Sequence, residues 1–232
     1  MLAFRNFAVS RSLLAVAQQQ GRTSLGGGAR GFSALTFQKI VGTGQAPDFQ
    51  ADAVYGDNSI KPLRLSDYFG KKYVCLFFYP ADWTFVCPSE IIAFGEAYSE
   101  FQKRGAEVIG CSTDTAPSHF CWKATEPSKG GIGQVPFPIV ADVSKKISSD
   151  YGVLHESHLA LRGLFLIDKA GVVRHSVVND FPVGRDVHEA LRALDAIQFH
   201  ESHGDVCPAN WKAGEKGMKA SFEGVKEYLS EK

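Results

Sequence analysis

This sequence has no C-x-x-C pair, and its five cysteines (Cys75, Cys87, Cys111, Cys121 and Cys207) are scattered over 232 residues. That spacing excludes a secreted disulfide framework and a paired-cysteine zinc site. Apolar runs such as Leu13–Ala17 and Tyr73–Tyr79 fall far short of the ~20 residues a membrane-crossing helix needs. There is no basic surplus, because 25 Lys and Arg balance 25 Asp and Glu. Acid is missing altogether before Asp48, where Arg5, Arg11, Arg22, Arg30 and Lys39 stand unopposed. Removing the first 32 residues therefore takes away four arginines and leaves a mildly acidic body, with no electrostatic case for nucleic acid or an anionic membrane. No Lys-Ser/Thr follows Gly130-Gly131-Ile132-Gly133, so this glycine cluster is not a phosphate loop.

What is present reads as one α/β domain with a segment on either side. Residues 1–32 contain Arg and Ser, lack acid and carry a helical stretch at Leu13–Gln20, the composition of a mitochondrial transit peptide, with a plastid address as the alternative. The folded domain is expected over residues 39–200. Gly56-Asp57-Asn58 marks a turn between two short strands, and Ala106–Ser112 reads as a core strand. Helical spacing predicts one helix from Cys87 to Lys103, a second at Pro117–Ala124 and a long one at Gly184–Phe199. Leu161–Asp168 and Val172–Val177 flank the turn at Lys169-Ala170-Gly171 as a hairpin. Strands alternating with helices, plus that hairpin, predict a three-layer fold around a mixed sheet. Residues 201–232 read as an arm ending in a short helix at Phe222–Leu229.

The chain is organised around KYVCLFFYPADWTFVCPSEIIAF, Lys72–Phe94. An aromatic-rich buried strand runs into Pro80, and a short connection then delivers Cys87 to the start of a helix. Pro88 suits the first turn and Glu90 suits the positive end of the helix dipole. A thiolate is stabilised at such a terminus and can act as a nucleophile. Cys75 and Cys111 lie in strand-like runs and read as buried structural thiols, and Cys121, in a helix beside Trp122, receives the same reading. His155-Glu156-Ser157-His158 and His200-Glu201-Ser202-His203 lack the tight ligand spacing of a structural metal site and read as polar loop or helix-end residues.

Tyr79–Glu90 resembles the active-site element of the peroxiredoxins. The P-x-x-x-T-x-x-C pattern is complete in Pro80, Thr84 and Cys87. The resemblance covers roughly residues 40–232. It extends to Leu161-Arg162-Gly163-Leu164-Phe165 and to Gly204-Asp205-Val206-Cys207-Pro208, the pattern of the typical two-cysteine subfamily. It implies a thioredoxin-like fold and a thiol peroxidase for hydrogen peroxide and alkyl hydroperoxides that needs no metal, haem or flavin. In that scheme Cys87 attacks peroxide, Arg162 and the Thr84 hydroxyl serve the sulfur and the leaving oxygen, and Pro80 shields the sulfur from water. Glu90 is a helix-start acid, a partner of Arg162, or both. Cys207, supplied by the partner chain of a head-to-tail homodimer, resolves the sulfenic acid, and a thioredoxin-type dithiol reduces the disulfide. Rings of five dimers are common in the subfamily, and the leader suggests its mitochondrial member.

Two further features carry the resemblance. Gly130–Gly133 matches a GGLG element with Ile132 in place of Leu, and Tyr228-Leu229 stands where the family has Tyr-Phe. There the two elements cover the site and slow its unfolding, so losing one aromatic face predicts intermediate susceptibility to overoxidation. A holdase chaperone or a disulfide relay is the competing role, and a pure holdase would survive Cys87→Ser.

Overall fold

The computed structural model describes residues 42–231; the transit-peptide reading of residues 1–32 lies outside them. Eight strands form one mixed sheet: β1 (Gly44–Gln45), β2 (Gln50–Val54), β3 (Ile60–Arg64), β4 (Tyr73–Phe78), β5 (Ala106–Ser112), β6 (Ile139–Ala141), β7 (Arg162–Ile167) and β8 (Val172–Asn179). Their order across the sheet is β1-β8-β7-β4-β5-β6-β2-β3. β4, β5 and β6 run parallel, whereas β7 opposes β4 and forms the expected hairpin with β8.

β4 is central and buried on both faces, hence its nearly unbroken apolar sequence. Its side chains alternate between two cores, as the two-residue period of a strand requires. Tyr73, Cys75 and Phe77 face the layer of α1 (Cys87–Glu96) and α5 (Val187–His203). Val74, Leu76 and Phe78 face the layer that includes α4 (Lys146–Asp150). Phe77 stacks on Phe94 of α1 at 4.4 Å between ring centroids, which ties the Cys87 helix to the centre of the sheet. Burial pushes the Cys75 thiol up to about 12 and raises that of Cys111 as well, consistent with structural thiols.

Three expectations need correction. The helix foreseen over Cys87–Lys103 breaks at Ala97 into α1 and α2 (Tyr98–Lys103). The break follows Gly95, a poor helix former that leaves room for Val135. Cys121 is exposed, not buried. Helix α3 (Ala116–Ala124) turns Ala116, His119, Trp122 and Lys123 inward, and that phase leaves Cys121 outside. The last long helix starts at Val187, capped by the Asp186 carboxylate, and ends at Gly204 in the left-handed region.

The arm belongs to the same compact unit as the domain. Trp211 is 2% exposed, packs on Phe199 of α5 at 4.9 Å and donates its indole N–H to the Glu215 carbonyl. The arm ends in α6 (Phe222–Ser230), where the Ser221 hydroxyl accepts from the Gly224 N–H. None of the described helices is long and apolar enough to cross a membrane.

Candidate active site

Cys87 is the first residue of α1, and Pro88 follows it at the second position. Val86, at the cap, supplies no side-chain hydrogen bond, and Pro88 has no N–H. The Ser89 and Glu90 N–H groups donate to the Val86 carbonyl, so the positive end of α1 reaches Cys87 through its dipole. The thiol is fully buried, yet it lines a cavity of about 440 Å³ together with Pro80, Thr84 and Arg162. Pro80, Thr84, Cys87 and Arg162, the residues that the resemblance singles out, therefore share one cleft.

Arg162, on β7, reaches the sulfur directly. Its Nη1 donates to Cys87 Sγ at 3.5 Å and to Glu90 Oε2 at 2.5 Å, while Nε donates to the Phe181 carbonyl at 2.7 Å. Nη2 makes no hydrogen bond within the described residues and remains a donor for an oxygen in the cleft. Glu90, one turn below Cys87, holds a second guanidinium. Arg185 donates from Nε to Glu90 Oε1 at 2.8 Å and from Nη2 to Oε2 at 3.0 Å. Its Nη1 donates to the carbonyls of Phe78 and Gly163, so four of its five N–H groups are paired and the side chain is 1% exposed. One carboxylate between two guanidiniums leaves a local formal charge of +1 beside the Cys87 sulfur.

Thr84 departs from its expected role. Its hydroxyl donates to the Ala81 carbonyl at 2.8 Å, so its single proton is committed and its lone pairs are what it offers the cleft. It is placed to accept from a peroxide O–H, not to donate to the sulfur. The preceding residue, Trp83, is held at φ 58°, a strained left-handed conformation for a bulky side chain that turns the chain tightly between Pro80 and Cys87.

The profile of the AhpC/TSA family matches residues 43–176, more than half of the chain, and that of the C-terminal domain of 1-Cys peroxiredoxin matches residues 196–231. The chain belongs to the AhpC/TSA family of peroxiredoxins. The chain is 56% identical to the alkyl hydroperoxide reductase C of Helicobacter pylori over 187 residues, covering 80% of this chain and 94% of that one. It is 51% identical to a chloroplastic 2-Cys peroxiredoxin of spinach, over 82% of this chain and 72% of the relative. The reduced 2-Cys peroxiredoxin of Plasmodium vivax superposes with a TM-score of 0.79 at 52% identity, covering 80% and 96% of the two chains. A mitochondrial 2-Cys peroxiredoxin of Plasmodium falciparum gives 0.69 at 45% identity over 73% and 100%. The thioredoxin-like architecture of this peroxiredoxin is thereby shown.

The remaining candidate, Cys207, lies elsewhere in the peroxiredoxin chain. It lines a separate cleft with Arg174, Ile197 and His200, half-buried, its Sγ 3.5 Å from the Ala196 carbonyl. Burial raises its thiol, with Arg192 acting against the shift. Among the described residues no disulfide or hydrogen bond joins Cys207 to Cys87, and the two line different cavities. Arg185 is the residue that sequence reasoning missed. The only local signal is its place two residues before the start of α5, and its pairing with Glu90 spans 95 positions. No group of three or more His, Cys, Asp or Glu side chains among the described residues is arranged to hold a metal.

Glu90→Ala is expected to leave two buried guanidiniums facing each other and to lower the unfolding free energy by about 3–5 kcal/mol. Urea titration of the two proteins checks this. Glu90→Gln keeps the volume and isolates the loss of charge.

Proposed function

We propose that this chain reduces hydrogen peroxide and organic hydroperoxides at Cys87, and that Cys207 of a second copy closes the cycle. The observation that carries the reading is the Cys87 sulfur, buried at the start of α1 with Arg162 Nη1 at 3.5 Å in a cleft also lined by Pro80 and Thr84. A thiolate there attacks one peroxide oxygen. The S–O bond forms as the O–O bond breaks, sulfur gives up two electrons, and the other oxygen leaves as hydroxide or alkoxide and takes a proton. Arg162 holds the thiolate and meets the charge that develops on the leaving oxygen, the term that usually dominates such catalysis. Thr84 orients the peroxide by accepting its O–H, and Pro80 walls off water.

The product is a sulfenic acid. The Cys207 thiol condenses with it, an S–S bond forms and water departs. A thioredoxin-type dithiol then exchanges with the disulfide and restores both thiols. Because Cys87 is fully buried, its sulfur meets Cys207 only if the first turn of α1 unwinds, and the side-chain cap missing at Val86 makes that turn the weak end of the helix.

Assembly as a homodimer is supported by the outer edge of β8. Among the described residues only Val172 and Val173 are paired on that side, by β1, so within those residues the edge from Arg174 to Asn179 is open to a second copy. A decamer of five dimers is supported by the exposed aromatic side chains of Trp83, Phe85 and Phe120, of which Phe85 is 98% exposed. The acid-free, arginine-bearing leader supports an organellar address, the mitochondrial matrix ahead of the plastid. Residues 1–36 fused to a fluorescent protein are expected to direct it to mitochondria; retention in the cytosol would refute this.

Non-reducing electrophoresis after one equivalent of peroxide tests the cycle. A disulfide-linked dimer is expected from the unaltered protein and none from Cys207→Ser or Cys87→Ser. Oxidised protein that runs only as monomer would contradict a pairing between chains.

A further inference from the structure

Lys123 is the one lysine among the described residues with no exposed surface. A lysine in a nine-residue surface helix ordinarily reaches water, and this one points inward beside Trp122. Its ammonium meets three backbone carbonyls: Tyr55 at 2.7 Å, Phe137 at 3.2 Å and Val54 at 3.4 Å. Three acceptors match the three protons of an ammonium. Burial pushes the group down to about 8, with Asp57 acting in the opposite direction, so the three-proton form predominates at neutral pH.

The carbonyls belong to two segments distant from α3 in sequence. Val54 and Tyr55 end β2 and open the turn to β3. Phe137 closes the stretch that leaves α3, and its carbonyl has no other donor within the described residues. Gly56 abuts the same place, where an added Cβ would lie 2.5 Å from the Pro136 carbonyl oxygen. Lys123 therefore fastens the base of residues 124–137 to the β2–β3 turn.

That stretch bears on the catalytic helix. It folds back on the end of α3 and the residues just after it, with the N–H groups of Gly131, Ile132 and Gly133 donating to the carbonyls of Glu126, Trp122 and Thr125. Ile132, Val135 and Phe137 then enter the core that holds Cys87, Ile91 and Phe94. Val135 lies against α1 at Gly95, where an added Cβ would sit 3.3 Å from Val135 Cγ1. Gly95 lies in the last turn of α1, two turns from Cys87, so this packing braces the helix that carries the sulfur from its far end.

We propose that Lys123 is a positioning residue for the peroxidase cycle: by clasping the base of residues 124–137 it presses Val135 onto α1 and sets how often the first turn opens. It touches neither sulfur nor peroxide. Without the clasp the Phe137 carbonyl is orphaned, the stretch loosens and α1 opens more often. The attack on peroxide, which uses the closed site, keeps its rate.

Native-state amide exchange on the full chain in its reduced form tests the clasp, comparing Lys123→Met, Lys123→Arg and Val173→Ala, a core control on the opposite face of the sheet. Lys123→Met is expected to speed exchange at residues 87–91 by about ten-fold, as loss of a buried charge-assisted bond allows. Lys123→Arg, which keeps the charge and the donors, restores protection, and the control leaves these amides within about two-fold of the unaltered protein. Exchange at 87–91 that is unchanged in Lys123→Met, or equally fast in the control, overturns the proposal. Should Lys123→Met fail to fold, Lys123→Gln replaces it, with the same outcomes. A second readout rests on the Cys87–Cys207 cycle: the fraction of Cys87 driven to sulfinic acid per turnover is expected to fall about three-fold in Lys123→Met, as faster opening favours the disulfide. Absence of any disulfide in all variants would count against the cycle, whereas the exchange result judges the clasp independently.

Discussion

Cys87→Ser is expected to abolish peroxide consumption, with turnover falling by at least about four orders of magnitude, the scale seen when a covalent nucleophile is removed. A serine hydroxyl fits the same volume at the start of α1 and leaves Arg162, Glu90 and Arg185 paired. The variant should therefore fold and keep its melting temperature within a few degrees. Coupled assay with a thioredoxin-type reductant reads the rate, and thermal unfolding reads the fold. The two together separate loss of chemistry from loss of structure. Residual turnover at a tenth of the original rate would place the reactive sulfur elsewhere.

Arg162→Met carries the second largest effect, an expected loss of about 10²–10³ in the single-turnover rate of Cys87 oxidation, the scale set by removing one preorganised donor from a developing oxyanion. The fold should suffer less than in Glu90→Ala, because Arg185 still satisfies both oxygens of the carboxylate. Arg162→Lys restores the charge without the planar fork that serves Cys87 Sγ, Glu90 Oε2 and the Phe181 carbonyl at once. Its rate is expected to fall between the other two. Stopped-flow fluorescence or quenched alkylation of the remaining thiol measures all three, and equal rates in Arg162→Met and the unaltered enzyme would remove Arg162 from the chemistry.

How much of this was legible in the chain depends on the range over which each signal acts. Pro80, Thr84 and Cys87 lie within eight residues, so strand, turn and helix start could be read together, and the cleft gathers them with Arg162. β4 and the β7–β8 hairpin were legible because burial on two faces and a tight turn leave local marks. Arg185 left no more than its place before α5, since its partners lie on α1, β4 and β7 and only the closed fold assembles them. Lys123 misleads for a related reason, because lysine in a helix ordinarily signals solvent and its three carbonyls come from 14 to 69 positions away. Cys121 turned on phase. Reading α3 from Trp122 alone leaves its neighbour undecided, whereas the inward set of His119, Trp122 and Lys123 places Cys121 outside. The bonding of Thr84 was not legible, because the Ala81 carbonyl that takes its proton is a feature of the strained turn at Trp83.

The most direct measurement is to trap the first oxidised sulfur. The full-length Cys207→Ser variant, treated with less than one equivalent of hydrogen peroxide in the presence of dimedone, should carry one adduct per chain on the peptide containing Cys87, located by mass spectrometry. The exposed Cys121 and the buried Cys75 and Cys111 should remain unmodified. An adduct on Cys121 in preference to Cys87, or none while peroxide is still consumed, would contradict the assignment of the reactive sulfur to the start of α1.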